Sequence, residues 1–160
     1  MEETESVSAF DGIVNMKRNA VVFAEGDSSA FVYIVKRGKI RVVKESSGQL
    51  ISLALIKKHD FLGELTIFDD KPRSASAIVE EDCEVVMIKK TDLRKVLKTC
   101  PDWVHRILDT LSERLRDSNE ILREHGISDD CEDGQITLTN ERMNQLKDIL
   151  NAYKSRRGKI

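Results

Sequence analysis

No apolar run in the 160-residue chain approaches the roughly 18 residues that a membrane-spanning helix needs, so no membrane association is expected. The opening residues Glu2, Glu3 and Glu5 are acidic, whereas a secretory signal begins with basic residues. A surplus of positive charge is also lacking: the formal net charge is −2, without the broad basic footprint of a nucleic-acid binder. Cys83, Cys100 and Cys131 are odd in number and show no C-x-x-C spacing, as expected of reduced thiols in a cytosol rather than a disulfide framework. The three histidines, His59, His105 and His125, have no metal-ligand spacing and no H-x-H pair, so a metal-dependent barrel enzyme lacks its ligands. Internal repeats and long low-complexity segments are missing too. These absences leave a soluble cytoplasmic protein, long enough for one compact domain plus an appendage.

The first two thirds of the chain hold short Val- and Ile-rich runs broken by turn residues at intervals of about ten. Val21–Phe23 precedes Glu25-Gly26-Asp27, Phe31–Val35 precedes Arg37-Gly38, and Ile40–Val43 precedes Ser46-Ser47-Gly48. Leu50–Ile56 ends at Lys57-Lys58-His59-Asp60, and Glu80-Glu81-Asp82 separates Ala75–Val79 from Val85–Ile88. Evenly spaced short strands predict an antiparallel β-roll or jelly roll with side chains filling its interior.

From Thr91 the apolar period becomes helical. Thr91 is placed to cap a short helix carrying Leu93, Val96 and Leu97, which Cys100-Pro101 stops. A long helix follows from Asp102 to His125, with Gly126 as its C-terminal cap. Val104, Leu108, Leu111, Leu115, Ser118 and Leu122 recur with the a/d spacing of a coiled coil, interrupted by one polar residue at Ser118. That seam predicts a homodimer through the 102–125 helix, the alternative being packing on the chain's own barrel. An acidic loop (Asp129, Asp130, Glu132, Asp133, Gly134) leads to a third helix over 140–154 with the stripe Met143, Leu146, Ile149, Leu150 and Tyr153. This stripe reads as core packing, with an output surface as the alternative. Lys154, Arg156, Arg157 and Lys159 form a short basic tail that reads as a solvated end.

The segment most informative about chemistry is Phe61 to Ala77, FLGELTIFDDKPRSASA. Gly63-Glu64-Leu65 predicts a helical turn, whose unpaired N–H groups suit an anion. Arg73 supplies a bidentate donor for phosphate oxygens, Ser74 a hydroxyl, and Ala75 room for a ligand to approach the backbone. Glu64 suits a sugar hydroxyl rather than a phosphate. A ligand bearing both phosphate and ribose would use the whole set, whereas a simple Glu64–Arg73 ion pair across a loop would use none of it.

Gly63-Glu64-Leu65 followed by Pro72-Arg73-Ser74-Ala75, with nine positions from Glu to Arg, resembles the phosphate-binding cassette of cyclic nucleotide-binding domains. These domains occur in the catabolite activator protein, protein kinase A regulatory subunits and cyclic-nucleotide-gated channels. Phe23-Ala24-Glu25-Gly26-Asp27, Tyr33–Gly38, Ile40-Arg41-Val42, Cys83-Glu84-Val85 and the long helix after Pro101 are similar to the family's pattern in the same order, so the resemblance runs from about Val21 to Leu122. It implies a domain over 10–126, with the β-roll at about 13–89 and helices at about 91–125, and a 127–160 segment of acidic loop, amphipathic helix and basic tail.

The resemblance further implies that Arg73 holds the exocyclic phosphate and Glu64 the ribose 2′-hydroxyl. Backbone N–H groups around Leu65, Thr66, Ser74 and Ala75, after the turn at Gly63, would complete the cradle. Arg114-Leu115-Arg116-Asp117-Ser118-Asn119 is similar to the activator's base-reading stretch, which makes Ser118, Asn119 and Arg114 candidates to touch the purine. cAMP is the ligand implied first and cGMP the alternative, since Ser at position 74 does not choose between bases. Two features depart from the family pattern: His59 stands where a Gly is common, and only 34 residues follow Gly126, against about seventy in the activators' winged helix-turn-helix. The expectation is a non-enzymatic sensor that signals to a protein effector, with no sequence-specific DNA binding. A ligand-insensitive dimerisation or docking module on the same fold is the alternative.

Overall fold

The computed structural model describes residues 10–67, 70–125 and 138–158. Among them, six strands form one antiparallel sheet: β1 (Phe10–Met16), β2 (Val21–Phe23), β3 (Phe31–Ser46), β4 (Gln49–Ile56), β5 (Phe61–Leu62) and β6 (Ser76–Lys89). The order β1-β6-β3-β4, with β2 on β6 and β5 on β3, makes β3 and β6 the two long members on which the others are laid. A 3₁₀ turn, Glu64–Thr66, lies between β5 and β6. The helices are α1 (Lys90–Leu97), α2 (Asp102–His125) and α3 (Asn140–Arg157). This is the expected β-roll with flanking helices.

Local details correct the sequence reading. Arg37-Gly38 and Glu80–Asp82 were expected to be turns between separate strands, but each is a bend inside one continuous strand. The β3–β6 register shifts at Val35/Arg37, Arg37/Lys39 and Lys39/Ile40, so bulges absorb the extra residues without ending the pairing. Gly38 (φ +87) is pressed against β6, and a Cβ there would lie 2.6 Å from that of Cys83. β1 and the two-residue β5 escape pattern reading because neither has a long apolar run. The N-cap of α1 is Lys89 rather than Thr91, and it makes no side-chain capping bond. α2 spans the expected 24 residues. Gly126 and the acidic loop lie outside the described residues.

Two apolar clusters hold the chain together. Inside the roll, Phe23, Tyr33, Val35, Ile40, Leu62, Val79 and Val85 pack with Ala77 and Cys83. On its outside, α3 inserts Leu146 and Leu150 against Ala24, Val43, Leu50 and Ile78. Burying each of those leucines contributes about 1.5–3 kcal/mol, so the α3 stripe is core packing. α3 begins at Thr139, whose Oγ1 accepts from the Arg142 N–H at 3.2 Å, and it runs to Arg157, three residues past the expected end.

Candidate ligand-binding site

β5 delivers the chain to Gly63, whose φ of +83 turns it into the 3₁₀ turn. A Cβ here would overlap Nη1 of Arg73 and lie 3.0 Å from its Cζ, so a side chain is excluded both by conformation and by the arginine. Thr66 is buried behind the turn. Its hydroxyl donates to the Gly63 carbonyl at 3.0 Å and lies 2.6 Å from the Ser29 hydroxyl.

Arg73 crosses the floor of this turn and is 4% exposed. Nη1 donates to the Gly63 carbonyl at 3.1 Å and to Thr66 Oγ1 at 3.4 Å, while Nη2 donates to the Phe31 carbonyl at 2.6 Å. Nε has no hydrogen-bond partner among the described residues. Its cationic face lies over Phe23, with Cζ 4.1 Å from the ring centre, and 5.8 Å from the centre of Tyr33. The backbone is fixed as well: Arg73 N donates to the Asp27 carbonyl and Gly26 N to the Arg73 carbonyl, both at 2.9 Å.

Among the described residues Arg73 makes no ion pair, so the alternative of a Glu64–Arg73 bridge is not what the chain builds. The two charges act on each other only at longer range. Burial pulls the Arg73 pKa below its ordinary value, opposed by Tyr33, Glu64 and Asp27. Burial likewise pushes the Glu64 carboxyl up, against the Glu64 N–H, the Arg73 charge and the Gly63 N–H. A buried cation held by neutral carbonyls and an aromatic face is short of negative charge, and an anionic ligand would supply it.

The second half of the site follows Arg73. Ser74 is half-buried, and its carbonyl accepts from Lys44 Nζ at 2.9 Å. Lys44 in turn pairs with Glu25 at 3.4 Å and with Glu120 of α2 at 3.2 Å. Ala75 is buried, and the Ser76 hydroxyl accepts from the Glu25 N–H at 2.8 Å.

Gly63, Glu64, Leu65, Thr66, Arg73, Ser74 and Ala75 are thus assembled into one cassette. Of the three α2 candidates, Arg114 and Ser118 are exposed and Asn119 is half-buried. From α2, Arg116 Nη2 donates to the Leu65 carbonyl at 3.1 Å, and Glu120 reaches the cassette through Lys44. Both continue one face from the buried Ser112 at intervals of four. That i, i+4 polar spacing was the signal available in the sequence. Phe23 and Asp27 also escaped notice as site residues, because only the fold brings their loop beneath Arg73. Among the described residues no group of His, Cys, Asp and Glu is placed to hold a metal, and no helix is long and apolar enough to cross a membrane.

Comparison with known proteins bears on the fold and the family. The cyclic AMP receptor protein of Thermus thermophilus is 31% identical over 99 residues, covering 61% of this chain and 46% of that protein. The anaerobic regulatory protein of Bacillus subtilis is 33% identical over 111 residues, 68% of this chain and 47% of that protein. The chain therefore spans about half the length of the curated relatives it matches. Among solved structures, the catabolite activator protein of Thermus thermophilus superposes with a TM-score of 0.59 at 29% identity, over 72% of this chain and 54% of that one. An EAL enzyme in its cAMP-bound form shares the fold, with a TM-score of 0.64 at 23% identity over 71% of this chain and 31% of that one. The family model for the cyclic nucleotide-binding domain matches residues 13–100, and the chain belongs to that family.

Proposed function

We propose that this chain is a non-enzymatic cyclic nucleotide sensor of the cytoplasm, with cAMP as its ligand and cGMP as the alternative. The observation that carries the reading is the buried Arg73 guanidinium, without an ion-pair partner among the described residues, in the same cassette as the Glu64 carboxyl. One group wants an anion and the other a hydroxyl donor, and a nucleoside cyclic phosphate offers both. A relative named as a cyclic AMP receptor supports the choice of base.

Isothermal titration with cAMP, cGMP and 5′-AMP tests it. Saturable binding of a cyclic nucleotide and none of 5′-AMP is expected. Truncating one partner of a buried charge pair removes about 2–5 kcal/mol, so Arg73→Ala should weaken binding by roughly 30- to 4,000-fold. A loss below about threefold in Arg73→Ala would mean that the cassette is not the binding site.

The output is assigned to α2. It touches both halves of the cassette, at the Leu65 carbonyl through Arg116 and at the Ser74 carbonyl through Glu120 and Lys44. A ligand that rearranges the cassette therefore has differential contacts with which to shift α2, and so to present a changed surface to a protein effector. Leu111 and Leu115 of the expected seam are exposed together with Trp103, Ile107 and Ile121, at 48–63%, whereas Val104, Leu108 and Leu122 of that seam are half-buried; a homodimer through 102–125 would cover the exposed stripe. Sedimentation equilibrium should give a dimer for the wild type and a monomer for Leu111→Glu. A monomeric wild type at micromolar concentration would remove the dimer from the reading.

A further inference from the structure

α3 lies beyond the residues that the family model matches, yet it is fixed to the roll along its whole length. Near its start, Arg142 Nη2 pairs with Glu80 Oε2 at 2.8 Å, and Glu80 Oε1 accepts from Arg41 Nε at 3.0 Å. In its middle, Leu146 and Leu150 are buried. At its end, the Tyr153 hydroxyl donates to Asp27 Oδ2 at 3.1 Å, and Arg157 pairs with the same oxygen at 2.7 Å. Asp27 Oδ2 also closes its own turn by accepting the Ala24 N–H at 2.9 Å. The Asp27 carbonyl is the acceptor for the Arg73 N–H. One residue therefore carries the end of α3 on its side chain and the anion-binding arginine on its backbone.

Resting on the cyclic nucleotide reading above, we propose that Asp27 is a positioning residue for Arg73 and that α3 sets Asp27, so that ligand affinity and α3 docking are coupled. Two physical effects act in the same direction. Tyr153 and Arg157 hold the 24–27 turn in the shape that presents its carbonyl to Arg73. They also partner a carboxylate that lies close enough to act on the Arg73 charge, and that would otherwise compete with an anionic ligand for it. Loss of the α3 contacts loosens the turn and leaves that carboxylate to oppose the ligand's phosphate. Coupling is reciprocal, so the ligand must in turn hold α3 down.

The test uses the full chain and the variant Tyr153→Phe/Arg157→Ala, which keeps the apolar docking of Leu146 and Leu150. Its cAMP affinity should fall by about 5- to 20-fold, and adding Asp27→Asn should restore part of the loss. Lys154→Ala serves as the control. It lies on the same helical turns, its ammonium group pairs among the described residues only with Glu45, at 4.0 Å, and it should shift affinity by less than about twofold. In the free protein, exchange of the Arg73 amide hydrogen should be faster in the double variant, and cAMP should slow exchange along α3 in the wild type. Unchanged affinity together with unchanged Arg73 exchange would overturn the proposal. A wild type that binds neither cAMP nor cGMP would overturn the nucleotide reading and the affinity coupling. Arg73 exchange in the free protein would still decide whether α3 positions the turn.

Discussion

The guanidinium of Arg73 rests on the ring of Phe23, with Cζ 4.1 Å from the ring centre, in a position sealed from solvent. A desolvated cation–π contact is worth about 2 kcal/mol, and here it replaces the carboxylate that a buried arginine ordinarily recruits. The ring faces one side of the guanidinium, leaving the plane's edge to the Gly63 and Phe31 carbonyls. Phe23→Leu keeps an apolar side chain but removes the electron-rich face. We expect it to weaken cyclic nucleotide binding by about 5- to 30-fold, corresponding to a loss of about 1–2 kcal/mol. Titration of Phe23→Tyr, which keeps a ring, should show most of the affinity retained. Equal affinities for Phe23→Leu and the wild type would mean that the carbonyls alone hold Arg73.

Glu64 gives the ligand reading a pH signature. Burial raises its carboxyl above the usual carboxylate range. A ribose hydroxyl donates to the ionised form, so binding favours the carboxylate. Affinity is then full above the free protein's Glu64 pKa and falls as pH drops through it. Arg73 does not titrate in this range, so the slope belongs to the carboxyl. Dissociation constants measured from neutral pH down to about pH 4.5 should rise in the wild type. In Glu64→Gln, which keeps an acceptor oxygen but cannot ionise, they should stay flat, from a weaker starting value. An equal slope in both proteins would remove Glu64 from the ligand contacts.

The parts of this architecture that could be read from the sequence were the local ones. Val- and Ile-rich runs marked most strands, and Pro101 and Gly126 bracketed the helical period that became α2. Gly63-Glu64-Leu65 and Arg73-Ser74 named the cassette. His59, where a Gly is common in the family, does adopt φ +76, so the backbone requirement persisted although the residue changed. Illegible were relationships that chain distance hides. Arg41 sits inside the strand run Ile40–Val43 and looks like an outward-facing residue, yet it is fully buried because Glu80 and Ser52 meet it. Tyr153 and Asp27 are 126 positions apart, and nothing local to either one announces their bond. Arg37-Gly38 read as a turn because a glycine after a charge usually is one. Only the pairing with β6 reveals that it is a bulge.

Glu80 joins the fully buried Arg41 on β3 to the Arg142 side chain on α3, which is 12% exposed, and this network fastens α3 to the roll. Burial by itself raises the Glu80 pKa, but the hydrogen bonds and charges of Arg142 and Arg41 together outweigh it and leave the carboxyl below its usual range. A carboxyl depressed in the folded state stabilises the fold above its unfolded pKa, about 4.3. That contribution is lost as pH falls through the lower, folded value. Wild-type stability by urea unfolding should therefore decline below about pH 4.3. Glu80→Gln should lower stability at neutral pH by about 3–5 kcal/mol, because Arg41 keeps its burial and both arginines lose their counter-charge. Its acid decline should be correspondingly shallower. The loss should appear first in α3, so hydrogen exchange at Leu146 and Leu150 should accelerate before exchange at Val35 or Val85 in the roll interior. A uniform loss of protection would mean that α3 and the roll unfold only together.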